Sequence, residues 1–305
     1  MFRKLVNAFA AFSLVVPLIL SNTSYAAANV SVGLNINGVL VNDQKPKVIN
    51  QTTFVPIRTV TLLPGLQVAW NNKTKTVTVT NSNTKEKVSL AVGNKIASRG
   101  NDKISLSSPA RIIDGVTYVP FRFIGEAFGA TVKWDNVSKS VAIYNTDPSV
   151  IANLKSDDLK TARTAALKLP RISFNEEFTT SDESHSTTYY FPYGEANRFF
   201  ISDQGVTQYL EIKDNAAWVI WEGVVSSSAT NKADIIPNIV EAVSKERGDR
   251  PDITGKLSYF VDLWMMEQVR YGTIDENGTN TQIGETTVDV SNSVILEIPG
   301  EQRVN

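Results

Sequence analysis

The chain has 305 residues, 42% of them apolar and 20% charged, which supplies about two globular cores and excludes a wholly disordered protein. It contains no cysteine and a single histidine, His185, so disulfides, thiolate metal sites and cysteine nucleophiles are excluded. Residues 29–146 carry 14 Lys and Arg against 6 Asp and Glu, whereas residues 147–305 carry 14 against 25. This change from a basic to an acidic half predicts a domain boundary between them.

The amino terminus has the pattern of an export signal. Arg3-Lys4 precedes an apolar stretch over residues 5–20, which is shorter than the ~20 residues that a membrane-spanning helix needs. We therefore predict residues 1–28 as a signal peptide that is cleaved between Ala26 and Ala28. The mature protein is expected to be secreted or non-covalently associated with the cell wall, without a transmembrane segment and without a nucleic-acid partner.

An internal repeat with a displacement of 64 residues follows. Phe54-Val55-Pro56-Ile57-Arg58 recurs as Tyr118-Val119-Pro120-Phe121-Arg122, and Trp70-Asn71-Asn72 recurs as Trp134-Asp135-Asn136. The register holds without a gap over residues 47–79 of the first copy. A match of this length indicates a duplicated structural unit.

Each copy predicts a strand that ends at a proline, a helical segment and a β-hairpin. In the second copy, residues 121–128 predict a helix with Gly129 at its C-cap, and residues 131–134 and 140–144 alternate as hairpin strands. In the first copy, β-branched residues and Pro64-Gly65 predict one short turn in place of the helix.

These motifs resemble the copper amine oxidase N-terminal domain family, which is common in exported proteins of Gram-positive bacteria. The resemblance covers about residues 30–145 and rests on the Val-Pro-x-Arg segments, on Gly125-Glu126-Ala127-Phe128-Gly129-Ala130, on a Val-x-Trp-Asp segment and on a Lys-Ser-Val strand. It implies a small α+β module that serves the oxidases as a stalk and carries no catalysis.

The resemblance does not imply amine oxidation. The catalytic region of the oxidases requires three copper-binding histidines and an Asn-Tyr motif, whereas this sequence has only His185 and no Asn-Tyr pair. We expect no cofactor and no metal, and we expect His185, in a polar run, to be an exposed loop residue.

Residues 147–305 resemble no family that we recognise. Residues 157–169 predict a helix, residues 187–225 an antiparallel meander and residues 234–247 an amphipathic helix. Two long strands are predicted over residues 257–271 and 287–298. The predicted fold class is thus α+β: a duplicated small sheet-plus-helix module over residues 29–146, then a second, acidic α+β domain with a meander.

Two kinds of side chain in the second half offer chemistry. The carboxylates are Asp157, Asp158, Glu176, Glu177, Glu211 and Glu222, from which a glycan hydrolase would need a facing pair. The aromatic residues that offer a sugar-stacking platform are Tyr189, Tyr190, Phe191, Tyr193, Trp218, Trp221 and Trp264. Aromatic residues in a sheet are more often core, and Trp218 and Trp221 have opposite parity on one strand.

The sequence favours a non-catalytic binding or structural protein of the Gram-positive cell envelope, whose N-terminal module attaches to wall or matrix. The alternative is a secreted hydrolase with a carboxylate site in the C-terminal domain and the N-terminal module for targeting. As candidate contacts to an anionic wall or matrix polymer we single out Lys73, Lys75, Lys133 and Lys139, on or beside the two repeat hairpins.

Overall fold

A computed structural model describes residues 32–304 apart from residues 44, 137, 177, 181–184, 226–242 and 288–292. Strands hold 48% of the described residues and helices only 12%. The predicted α+β class, with a duplicated sheet-plus-helix module, is therefore wrong: the protein is mostly β. The predicted signal peptide, residues 1–28, lies outside the described residues.

The first half of the described chain contains thirteen strands and two helical segments. The strands are β1 (Gly33–Ile36), β2 (Val39–Leu40), β3 (Lys47–Ile49), β4 (Thr52–Pro56), β5 (Leu66–Asn71), β6 (Thr76–Asn81), β7 (Lys87–Ala91), β8 (Ile96–Arg99), β9 (Asp102–Ser105), β10 (Arg111–Ile113), β11 (Val116–Pro120), β12 (Thr131–Asp135) and β13 (Ser140–Tyr144). They form three sheets, with the strand orders β12-β13-β1-β2, β10-β11-β4-β3 and β5-β6-β7-β8-β9.

The two sequence copies meet in the second of these sheets. Strands β4 and β11 pair antiparallel with Val55 opposite Val119, two positions that are equivalent in the repeat. The hairpins β3-β4 and β10-β11 are thus related by a local two-fold rotation. The remaining strands of the copies enter different sheets, because β5-β6 joins β7-β9 whereas β12-β13 pairs with β1.

The helical segments of the two copies differ as their sequences predict. Helix α1 (Phe121–Phe128) ends at Gly129, whose φ of 66° is the left-handed conformation that glycine adopts without strain. The first copy forms only a 3-10 helix, Ile57–Leu62. The short turn predicted for the first copy is thus confirmed.

A single nine-stranded sheet dominates the second half. Its strands are β14 (Arg171–Ile172), β15 (Thr187–Pro192), β16 (Arg198–Asp203), β17 (Val206–Lys213), β18 (Ala216–Val225), β19 (Val243–Gly248), β20 (Leu257–Leu263), β21 (Gln268–Ile274) and β22 (Asn280–Thr287). The order is β14-β18-β17-β16-β15-β20-β21-β22, with β19 also on β18. The predicted meander is confirmed as β15 to β18.

Three other predictions for this half differ from the structure. The segment predicted as one strand over residues 257–271 is a hairpin, and residues 293–298 of the predicted last strand have no regular structure. Of the helix predicted over residues 234–247, residues 243–247 belong to β19, and residues 234–242 lie outside the described residues. Apolar spacing alone did not distinguish a strand from a hairpin, a helix or irregular chain in these segments, because strand formation also depends on pairing with residues distant in sequence.

Two short helices connect the halves. Helices α2 (Pro148–Leu154) and α3 (Leu159–Leu167) begin at Asp147 and Asp158, whose carboxylates accept backbone N–H bonds from Ser149 and Thr161. The predicted helix over residues 157–169 is confirmed as α3. None of the helices in the described residues has the length and apolar composition that crossing a membrane requires.

Residues 31–305 form one compact unit, which contains several apolar clusters. One cluster joins the three small sheets, and two others cover the two faces of the large sheet. Where the halves meet, Tyr144 and Trp218 pack edge to face with ring centroids 6.4 Å apart, and the Tyr144 hydroxyl donates to the Asp214 carbonyl at 2.9 Å. The halves therefore share a packed boundary close to residue 146.

Candidate functional site

The surface of the first half carries a groove at the junction of two sheets, which we call the Trp134 groove. It has a volume of about 490 Å³ and is lined by Val48, Gln51, Thr52, Thr53, Ser107, Pro120, Phe121, Arg122 and Trp134. The edge strand β3 forms one side, the edge strand β12 forms the other, and the first turn of α1 lies between them.

Apolar side chains in this groove remain open to solvent. Trp134 is 42% exposed and Val48 is 57% exposed. The Arg122 guanidinium lies 5.4 Å from the Phe121 ring centroid, a distance suited to a cation–π contact. The groove thus combines an aromatic surface with one exposed cation.

Of the four predicted lysines, only two occupy equivalent positions of the repeat at the hairpin turns. Lys75 and Lys139 occupy the same repeat position, both with positive φ, and their ammonium groups donate to Asn72 and Asn136, each at 2.7 Å. The two turns therefore present the same cation in the same local geometry. Lys73 is exposed on the first turn only.

The fourth lysine, Lys133, differs from the others. Its ammonium lies 3.0 Å from the Asp214 carboxylate of the second half, so its charge is already neutralised there. Lys73, Lys75 and Lys139 form no ion pair with any described residue. Three of the four predicted contacts thus stay available to an external anion.

The structure also brings two carboxylates of the second half together. Asp203 and Glu222 line one cavity of about 300 Å³, whereas the sequence had singled out only Glu222. Glu222 is 1% exposed and accepts hydrogen bonds from Gln208 Nε2 at 2.8 Å and from Arg247 Nε at 2.5 Å. Both oxygens of the Glu222 carboxylate are thus engaged by neighbouring side chains, so this buried group is held within the sheet.

The remaining predicted carboxylates have structural or exposed positions. Asp158 caps α3, and hydrogen bonding to Thr161 lowers the pKa of its carboxyl group. Glu211 accepts from the Tyr209 hydroxyl at 3.1 Å and pairs with Lys213 at 2.7 Å. Asp157 and Glu176 line separate cavities, and Glu177 lies outside the described residues.

Most aromatic residues predicted as a stacking platform belong to the core, as expected. Trp221 is fully buried in one cluster on the large sheet, and Trp218 packs against Tyr144. A β-bulge in β18 pairs Trp221 with Tyr209 and Trp218 with Glu211, so the two tryptophans lie on the same face of the sheet despite their opposite parity in sequence. Trp264 is the exception, being 46% exposed at the β20-β21 turn. Trp134 was not among the residues predicted for a site, although the repeat of Trp70 as Trp134 was a usable signal.

Comparison with known protein families finds a match in the first half of the chain. Residues 35–143 match the family described as the copper amine oxidase N-terminal domain, which confirms the resemblance predicted for this part of the chain. The match ends before the nine-stranded sheet. No curated protein sequence matches the chain.

The residues present do not fit the copper that this family name implies. The matched segment contains neither histidine nor cysteine, and His185 lies outside it as an exposed residue whose ring centroid is 5.6 Å from that of Trp264. Within the described residues, no group of three or more His, Cys, Asp or Glu side chains is arranged to hold a metal ion. We derive no chemical step through copper.

Proposed function

We propose that this protein, whose residues 35–143 form a copper amine oxidase N-terminal domain, is an exported non-catalytic protein of the Gram-positive cell envelope. In this proposal the domain attaches the protein to an anionic wall or matrix polymer, and the acidic second half presents a separate surface. Export rests on the signal pattern of residues 1–28, which lie outside the described residues.

The observation that carries the attachment is the repeated basic turn. Lys75 and Lys139 extend from equivalent hairpin turns of a half that is rich in Lys and Arg, and each is held by a neighbouring asparagine. An exposed charge acts over about 8 Å at physiological ionic strength, so several exposed lysines act together only on a ligand with closely spaced negative charges. A polyanionic chain has this property.

Co-sedimentation with purified cell walls tests the attachment. We expect the wild-type protein to sediment at low salt, and a Lys73→Glu, Lys75→Glu, Lys139→Glu variant to lose most of this retention. The matched control is Lys155→Glu, Lys160→Glu, Lys168→Glu, which changes the net charge equally on the exposed surface of α2 and α3. Retention of the wild type should weaken as salt rises.

Two outcomes would contradict the proposal. Equal sedimentation of the two charge-reversal variants would show that the hairpin lysines do not form the contact. Release of soluble wall fragments during the incubation would favour the alternative, a secreted hydrolase.

A further inference from the structure

We propose that the Trp134 groove binds a segment of an acidic glycan, with Trp134 stacking on the face of one sugar and Arg122 pairing with its anionic group. This inference deepens the proposed function and rests on it, because it assigns the chemistry of the attached polymer. It also separates two roles: the hairpin lysines attract any polyanion, whereas the groove requires a sugar.

The shape and lining of the groove suit a sugar chain. The indole of Trp134 and the ring of Phe121 offer apolar faces, while Thr52, Thr53 and Ser107 bring hydroxyl groups. Among the described strands, β3 and β12 are sheet edges, so one side of each has backbone N–H and C=O groups without a strand partner. Apolar faces beside many small hydrogen-bonding groups match the alternating C–H and hydroxyl surface of a sugar.

The charge in the groove selects an anionic ligand. Arg122 is the only charged residue of the lining, and it forms no ion pair with any described residue. Its contact with Phe121 directs a planar guanidinium that is able to hold a carboxylate or phosphate in a bidentate manner. An acidic sugar therefore satisfies the aromatic surface and the cation together.

The repeat gives the groove residues equivalents in the other copy, which we call the equivalent surface, and the charge there differs. Trp70, the equivalent of Trp134, is also 42% exposed. However, the Arg58 guanidinium, equivalent to that of Arg122, lies 3.9 Å from the Asp43 carboxylate. Asp43 is itself the repeat equivalent of Ser107 in the Trp134 groove.

The equivalent surface thus has the aromatic residue without a free cation. We expect it to bind an acidic glycan more weakly than the Trp134 groove does, because Asp43 lies beside Arg58 and repels the anion. The repeat consequently supplies a control of the same residue type at each position: Trp70 has the same exposure as Trp134, and Arg58 is exposed like Arg122.

The experiment is calorimetric titration of the full mature chain with an oligogalacturonate, a neutral oligoglucan and polyglutamate. At moderate salt we expect the oligogalacturonate to bind more tightly than polyglutamate and the neutral oligoglucan not to bind, with the oligogalacturonate weakened roughly tenfold by Trp134→Ala and by Arg122→Gln. The matched variants Trp70→Ala and Arg58→Gln should bind like the wild type. Thermal melts of all four variants, whose altered side chains are exposed, verify that each remains folded.

Each other outcome overturns a stated part of the inference. If polyglutamate binds as tightly as the oligogalacturonate, stacking on a sugar face does not contribute to binding. If the neutral oligoglucan binds as tightly, the charge of Arg122 does not contribute. An equal effect of Trp70→Ala would exclude the Trp134 groove as the specific site. If no probe binds while the wild-type protein still sediments with walls, the glycan inference fails and the proposed function stands. If the oligogalacturonate binds but the protein does not sediment with walls, the groove binds a glycan and the proposed attachment to walls fails.

Discussion

Tyr209 illustrates how burial and a neighbouring charge act on one residue. Its ring is 3% exposed in the cluster that contains Trp221, and its hydroxyl donates to the Glu211 carboxylate at 3.1 Å. Burial, assisted by the negative charge of Glu211, raises the pKa of Tyr209 from 10.0 to about 12. Both causes favour the neutral phenol in the folded state.

The first prediction concerns alkaline stability. Because the folded pKa of Tyr209 exceeds the unfolded value, its contribution is complete below pH 10 and is lost as the pH rises toward about 12. Urea unfolding at a series of alkaline pH values should show a shallower loss of stability for Tyr209→Phe than for wild type. Glu211→Gln should lower the midpoint of the phenol's spectrophotometric titration; an unchanged midpoint would contradict the role of this charge.

At the scale of elements, an ion pair fastens the irregular carboxy-terminal segment. The Arg163 guanidinium of α3 binds the Glu301 carboxylate through two bonds of 2.6 and 2.8 Å, and these side chains are 1% and 2% exposed. Glu301 also accepts from Gly194 N and Ser258 Oγ, at 2.7 and 2.8 Å. One side chain of the tail thus joins α3, the β15-β16 turn and β20.

The second prediction is that Glu301→Gln lowers the free energy of unfolding by about 3–5 kcal/mol, because it leaves the Arg163 charge buried without its partner. Urea denaturation measures this loss. Glu297→Gln, an exposed position on the same segment, should change stability by less than about 0.5 kcal/mol. Equal losses in the two variants would show that the tail is not held by this pair.

Across the whole molecule, the join between the two halves is packed and hydrogen-bonded. Tyr144 is fully buried against Trp218, Thr146 Oγ1 donates to the Asn215 carbonyl at 2.7 Å, and Lys133 pairs with Asp214. Yet each half has its own apolar cluster or clusters. Separate folding of the two halves therefore stays a prediction. The contacts at the join are expected to stabilise the halves further within the full chain.

The third prediction is that residues 29–146 and residues 147–305, expressed separately, each show a cooperative thermal transition. The first fragment should melt at a lower temperature than it does within the full chain, because it exposes Tyr144. Trp218→Ala in the full chain should reproduce part of that decrease. An unfolded first fragment would mean that the second half completes its core.

Local sequence features predicted the elements that depend on neighbouring residues. Helix α1, its Gly129 cap, the weaker helix of the first copy and the meander of residues 187–225 all follow from spacing, capping and turn residues. These signals act within one or two turns of chain, so no distant partner is needed to interpret them. The match of residues 35–143 to a family has the same origin in residues at fixed spacing.

Tertiary structure decided what depends on distant residues. The parallel pairing of β1 with β13, the divergence of the two copies into different sheets and the fastening of the tail by Glu301 each join segments far apart in sequence. The Trp134 groove arises in the same way, because Val48 and Trp134 meet only after the sheets assemble. By itself the sequence determined the repeat, its local elements and the unequal charge of the halves; long-range strand pairing decided the mostly β architecture and which residues form a site.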